Sequence, residues 1–203
     1  MMSTNSTPQA STTRFNTAPA TEFWSQFEEQ LLDGRFPLQK HVGGFQSGAI
    51  FLSELGGGEQ QRVAVKLVSA AASDAQWLGS SWRIAHSLQH PNLVRVYATA
   101  QASLGGLRVV YAVTDYAEES LDGILEERCL TESEALELLV ASAHALGFLH
   151  IKGLLPGLLE PSSIVAVGDA VKLACDGKVF VECLASQSPA FGSAFEIRLQ
   201  DLG

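Results

Sequence analysis

Between residues 36 and 114, short β-type runs alternate with turns, and one amphipathic stretch interrupts them. Phe36-Pro37-Leu38-Gln39, Ala49 to Ser53 and Val63 to Val68 are three such runs. Gly56-Gly57-Gly58 is a turn between the second and third, and polar Gln60-Gln61-Arg62 bounds the third. Runs of this length rich in β-branched and aromatic residues suit a pleated strand, and glycine suits the tight turns between them. Short connections make the neighbours antiparallel, because a parallel pair needs a long crossover. From Ser73 to Leu88, Ala75, Leu78, Trp82, Ala85 and Leu88 recur toward one side of a helix. His90-Pro91-Asn92 stops it, since a residue before proline avoids the helical region. Leu93 to Tyr97 and Arg108 to Thr114 are two more strands around Gly105-Gly106. The sum is a meander of five antiparallel strands carrying one helix, an α+β arrangement.

Beyond Asp115 the pattern turns helical. Thr131-Glu132-Ser133-Glu134 is a capping box, in which the hydroxyl accepts a free backbone N–H and Glu134 reaches back. The helix that follows, about Glu132 to His150, is apolar on most sides, with Leu136, Leu138, Leu139, Val140, Leu146, Phe148 and Leu149. Such a helix is expected to be buried and to need other elements around it. At the other end, residues 1–20 are rich in Ser, Thr, Asn, Ala and Pro and read as a disordered tail. Residues 21–34 are predicted to form a helix capped by Thr21 and ended by Asp33-Gly34. Its apolar face (Phe23, Trp24, Phe27, Leu31) would pack on the domain behind it or dock on a partner.

Composition narrows the function. Apolar residues make up 46% of the 203 and charged residues 17%, which supports a buried core. A net charge of -9 with only 13 Lys plus Arg is ill suited to neutralising nucleic-acid phosphates, so no nucleic-acid partner is expected. Residues 115–137 hold nine acids opposed only by Arg128, either a solvated helical face or a dock for a basic partner. Cys129, Cys175 and Cys183 lack metal-type spacing, and their odd number suits free thiols in a reducing cytoplasm. His86, His90, His144 and His150 show no liganding spacing, so no metal site is expected. No run of 18 apolar residues suggests a membrane span, and the N-terminus lacks a signal-peptide pattern.

Several stretches, in order, resemble the protein kinases of the Ser/Thr type. Val63-Ala64-Val65-Lys66 is similar to the family's V-A-I-K strand. His90-Pro91-Asn92-Leu93-Val94 resembles H-P-N-I-V. Val113-Thr114-Asp115-Tyr116-Ala117 resembles the hinge between the lobes. Leu149-His150-Ile151-Lys152-Gly153-Leu154 resembles the end of the large helix before the catalytic loop. Leu159-Glu160-Pro161-Ser162-Ser163-Ile164 resembles L-K-P-x-N-I, and Val171-Lys172-Leu173-Ala174-Cys175-Asp176-Gly177 resembles V-K-L-x-D-F-G. The resemblance spans about residues 35–177. It implies a protein-kinase-like fold: a five-stranded antiparallel N-lobe with a C-helix over residues 35–115, then the first part of a helical C-lobe over residues 116–203. It also implies a nucleotide site. Val42, Gly43, Gly48, Ile50 and Ala64 would enclose the ligand and Lys66 would face phosphates. Thr114 would be the gatekeeper, with backbone groups of Asp115 and Ala117 at an adenine edge.

The same resemblance exposes what is replaced. Phosphoryl transfer needs a base beside the attacking hydroxyl, ligands for magnesium and positive groups along the phosphates. The catalytic Asp of H-R-D maps onto Leu158, which accepts no proton. The following lysine maps onto Glu160, the metal-binding Asn onto Ser163, and the metal-binding Asp onto Cys175, a soft ligand that magnesium disfavours. Asp176 is shifted by one place. No acidic residue lies between Asp74 and Asp115, and the position of the glutamate that would anchor Lys66 falls near Ser81. Gly43-Gly44-Phe45-Gln46-Ser47-Gly48 is similar to the phosphate loop but carries Phe45 at the second glycine position.

These replacements imply a catalytically inactive pseudokinase that works as a protein-interaction or regulatory module. It would have a protein partner, no catalytic metal and, as cofactor, at most ATP bound without magnesium. Residues 178–203 do not resemble the family's activation segment and later helices, so a C-lobe truncated after the D-F-G position is expected. A Ser/Thr kinase with residual phosphoryl transfer and a non-functional kinase remnant are the alternatives.

Overall fold

The computed structural model describes residues 23–45, 48–56, 61–156, 159–175 and 180–182. Five strands form the first lobe: β3 (Lys40–Phe45), β4 (Gly48–Leu55), β5 (Gln61–Ser69), β6 (Val96–Leu104) and β7 (Leu107–Asp115). They form one antiparallel sheet in the order β3-β4-β5-β7-β6. Helix α1 (Ala75–His86) lies between β5 and β6 in the chain.

The two-residue period of a strand decides which side chains meet which layer. Val63, Val65 and Leu67 of β5, with Val109, Tyr111 and Val113 of β7, belong to one buried cluster together with Phe51. Val68, Val110 and Ala112 alternate to the other side, where they meet Ala75, Leu78, Trp82 and Ala85 of α1. Trp82 is fully buried, a contribution of about 2–3 kcal/mol from apolar area alone. The second face is the one that Ala64, Lys66 and Thr114 share, so the alternation aims all three at the space below α1.

The N-terminal segment covers the first face. Trp24, Phe27, Leu32, Phe36 and Leu38 are buried in the same cluster as Phe51 and Val65. This corrects the helix expected over residues 21–34. Within the described part only residues 23–25 are helical, and Leu31–Leu32 (β1) pairs with Phe36–Pro37 (β2) in a small hairpin. Glu29 and Asp33 have φ of 66° and 53°, and Gly34 has 66°; left-handed residues cannot continue a right-handed helix. The hairpin buries Leu32 and Phe36 while Leu31 stays 56% exposed. Phe36-Pro37 thus belongs to this hairpin, and the large sheet begins at Lys40. The tail at residues 1–20 and Thr21 lie outside the described residues. The strand expected from Leu93 begins at Val96.

The second lobe holds β8 (Glu119–Ser120), α2 (Leu121–Glu127), α3 (Glu132–Ile151) and β9 (Leu154–Pro156). After these come a 3-10 turn (Pro161–Ser163), β10 (Ile164–Val167), β11 (Ala170–Leu173) and β12 (Phe180–Glu182). β10 pairs with β8 and β11, and β12 pairs with β9. The capping box at Thr131 and Glu134 forms as the sequence predicts. Ala145 and Leu149 of α3 pack with Leu88, Leu93, Ile164 and Leu173. The loop after α1 is stitched to β11: Val94 N–H donates to Leu173 O at 3.0 Å, and Leu173 N–H donates to Asn92 O at 2.8 Å.

Helix α3 departs from its expected burial. Only Ala141, Ala145 and Leu149 are buried along it, whereas Leu136 and Leu139 are 63% and 64% exposed and Ile151 is 89% exposed. Leu138, Leu146 and Phe148 are half-buried against the same cluster, while Leu136 and Leu139 point away from it.

Candidate functional site

The two lobes enclose a cleft of about 640 Å³, the size of a small-molecule site. Strand pairing builds its upper wall. Lys66 stands opposite Ile50 on β4 and Ala112 on β7, and Ala64 stands opposite Thr114. Val42, Ile50, Ala64 and Lys66 therefore line the cleft from above, with Thr114, Asp115 and Ala117 at its back; Val165 and Ala174 line it from below. Seven of the nine residues expected at a nucleotide converge here. Gly43 and Gly48 do not line the cleft. Gly43 pairs with Ile50, and the β3–β4 pairing runs on until Phe45 meets Gly48.

Thr114 is 1% exposed, and its Oγ1 donates to Asp115 O at 3.0 Å. Asp115 N–H donates to Arg95 O at 3.0 Å, so that amide is already engaged. The side chain of Asp115 was not singled out by the sequence, yet it is the most connected carboxylate in the cleft. It accepts from Arg95 N–H at 2.9 Å, Tyr97 Oη at 2.7 Å and Lys172 Nζ at 2.7 Å. An exposed ion pair, Arg62 to Glu118 at 3.1 Å, closes the same edge. Glu119, Glu126 and Glu127 also line the cleft. They belong to the acidic run of residues 115–137 and are exposed where they border the cleft, a placement that one-dimensional spacing does not give.

Order of elements, lobe pairing and cleft can be set beside known proteins. No family model matches the chain. Ribosomal protein S6 kinase alpha-6 of Homo sapiens is 34% identical over 95 residues, covering 43% of this chain and 12% of the relative. Mitogen-activated protein kinase 4 of Mus musculus is 30% identical over 143 residues, covering 66% and 24%. The leaf rust 10 disease-resistance locus receptor-like protein kinase-like 1.4 of Arabidopsis thaliana is 32% identical over 141 residues, covering 68% and 21%. Among solved structures, the PknI kinase domain of Mycobacterium tuberculosis superposes with a TM-score of 0.59 at 22% identity, covering 80% of this chain and 63% of that one. The chain belongs to the protein kinase superfamily. It spans between 12% and 24% of the length of these curated kinase relatives.

The positions that the sequence reading sets against the family's catalytic residues have definite surroundings. Ser163, at the asparagine position, is 4% exposed, and its Oγ accepts the Glu160 N–H at 3.4 Å. Its carbonyl accepts Ala174 N–H at 2.7 Å. Glu160, at the lysine position, caps the 3-10 turn, and its Oε2 accepts from Ser162 Oγ at 3.4 Å. Cys175, at the metal-binding aspartate position, is 3% exposed and belongs to the apolar cluster of Leu88, Leu149 and Leu173; its neighbour Ala174 lines the cleft. Ser81 sits on the buried face of α1. Among the described residues, no three His, Cys, Asp or Glu side chains gather as metal ligands. Leu158 and Asp176 lie outside the described residues.

Proposed function

We propose that this chain is a catalytically inactive protein-kinase-like module that acts by binding protein, with at most weak, magnesium-independent nucleotide binding in the cleft. The observation that carries the reading is the fate of the two metal-ligand positions. Cys175 is packed in the apolar core of the second lobe, and the Ser163 hydroxyl is engaged in capping a turn. A transferred phosphoryl group needs magnesium and an acceptor-side base. The sequence offers Leu158 for the base and Glu160 for the cation beside it. Losing either a metal ligand or the base costs orders of magnitude in rate, because those contacts are made in the transition state.

Support for a protein partner comes from α3, whose Leu136, Leu139, Val140 and Ile151 face outward. Leu136, Leu139 and Val140 lie within about one turn of each other, and exposed apolar area of this kind is typical of interaction surfaces. The test is a transfer assay with γ-labelled ATP and magnesium or manganese, on the chain itself and on a generic protein substrate. The expected result is no label above the protein-free control. Label that appears with the natural chain and disappears in Lys66→Ala overturns the proposal.

A further inference from the structure

Helix α3 has two faces of different character. Ala141, Ala145 and Leu149 are buried on the side of the second lobe. On the opposite side Leu136, Leu139, Val140, Ala143, Gly147 and Ile151 recur at helical spacing, and all six are exposed. Bulk changes along this stripe. Three branched side chains fill its first half; Ala143 and Gly147 leave a hollow in the second, closed by Ile151. Among the described residues, nothing beyond its own stretch of helix lies within 4 Å of the place a Cβ on Gly147 would take.

Charge changes in the same direction. Glu132 and Glu137 are exposed in the first half, while Glu134 is engaged by Arg128. His144, His150 and Lys152 are exposed in the second half and at its end, and no acid lies between Glu137 and Glu160. A stripe with bulk and acid at one end, hollow and base at the other, is complementary to its own reverse. Laid antiparallel about a two-fold axis near Ala143, two such helices set Leu139 and Val140 of each over Gly147 of the other, with Leu136 beside Ile151. The acidic half of each then lies along the basic half of its mate, and the two helix dipoles run in opposite directions. A parallel pair would set bulk on bulk and acid on acid. Small residues at the crossing also let the axes approach toward the short end of the usual range of about 8–10 Å.

We infer that the outward face of α3 pairs, antiparallel, with the same face of a second copy of this chain. The contact is isologous, one patch serving both copies. This rests on the reading of the chain as a protein-binding module and names its partner. One helix from each copy falls short of the roughly 1,200 Å² at which stable interfaces begin. Each copy also carries a net charge of -9. The dimer is therefore transient, with a dissociation constant of about 10–100 µM, and dilute chain is monomeric.

The experiment is sedimentation velocity on the full chain, from about 1 to 300 µM at physiological salt, where repulsion beyond about 8 Å is screened. The mass is expected to rise from 21.7 kDa toward twice that value. Gly147→Glu puts a charged side chain into the crossing without a clash in the single chain, and should weaken association at least about tenfold. A melting curve verifies its fold, and Ala143→Glu repeats the test at a second exposed position. Carbodiimide coupling reads the orientation. Glu137 and Lys152 lie about 22 Å apart along one helix, too far for a direct amide bond within a chain. A Glu137–Lys152 bond in the dimer, absent in Gly147→Glu, is therefore expected to join two copies. A chain that stays monomeric at the highest concentration, a mass rise that Gly147→Glu leaves unchanged, or a dimer without that bond overturns the inference. Label transfer in the assay above would instead sink the inactive-module reading whatever the mass, so the two failures are distinguishable.

Discussion

Lys172 Nζ lies 2.7 Å from Asp115 Oδ2, and the pair joins the last strand of the first lobe to the β10–β11 hairpin of the second. The side chains are 17% and 4% exposed, so the ion pair is largely out of water. The same carboxylate accepts the Arg95 N–H and the Tyr97 hydroxyl. One side chain thus satisfies three donors, one of them from the opposite lobe, at the back of the cleft. With the Asn92–Leu173–Val94 backbone bonds, it ties the two lobes on both sides of β11.

Removing that carboxylate should be costly. Asp115→Ala leaves a partly buried ammonium, a hydroxyl and an N–H without their acceptor, and breaking a buried pair by deleting one partner costs about 3 kcal/mol or more. Urea denaturation should show this as a lower midpoint with little change of slope. A loss under about 0.5 kcal/mol would mean that water replaces the contact.

Tyr97 reports on the same network. Burial pushes its phenol above the ordinary tyrosine value, and the hydrogen bond to Asp115 raises it further, since an ionised phenol would face a carboxylate. In Asp115→Asn the spectrophotometric titration of Tyr97 should move down toward the reference of about 10 without reaching it, because burial remains. An unchanged midpoint would show that the hydroxyl does not sense Asp115.

Glu134 supplies a pH dependence of known sign. The hydrogen bonds from Arg128, then those from the Thr131 N–H and hydroxyl, hold its carboxyl at about 2 against an ordinary 4.5. A depressed folded-state value means that its stabilising contribution is complete above pH 4.5 and is lost as pH falls through about 2. Chemical denaturation should therefore show the natural chain losing more stability over this window than Glu134→Gln, which has no proton to take up. Parallel curves for the two proteins would contradict the capping geometry.

The sequence made some of these relationships legible and hid others, for physical reasons. The family resemblance grouped Ala64, Lys66 and Thr114; the two-residue repeat sets Ala64 and Lys66 on one face of β5, and the pairing of Ala64 with Thr114 brings in the third. The capping box at Thr131 is a local motif and survives folding intact. The helix expected over residues 21–34 failed because apolar spacing cannot see the left-handed backbone at Glu29 and Asp33. The Asp115–Lys172 contact spans 57 positions in the chain, so only the paired lobes bring it together. The glutamates that border the cleft were read as a charge run, since one-dimensional spacing does not say which of them come near it.

Helix α3 is where hydropathy alone misleads most, and it yields the clearest contrast in stability. Leu139 and Leu149 are the same residue ten positions apart on one helix, 64% and 0% exposed. Leu149 packs with Leu88, Leu93 and Leu173, so Leu149→Ala leaves a cavity at the join between the lobes and should cost about 2–5 kcal/mol. Leu139→Ala removes side chain from solvent-facing surface and should change stability by no more than about 0.5 kcal/mol. Paired urea melts measure the difference directly. Equal losses would mean that Leu139 is covered in solution, by another chain or by part of this one, and the outward face of α3 would then have to be counted as core.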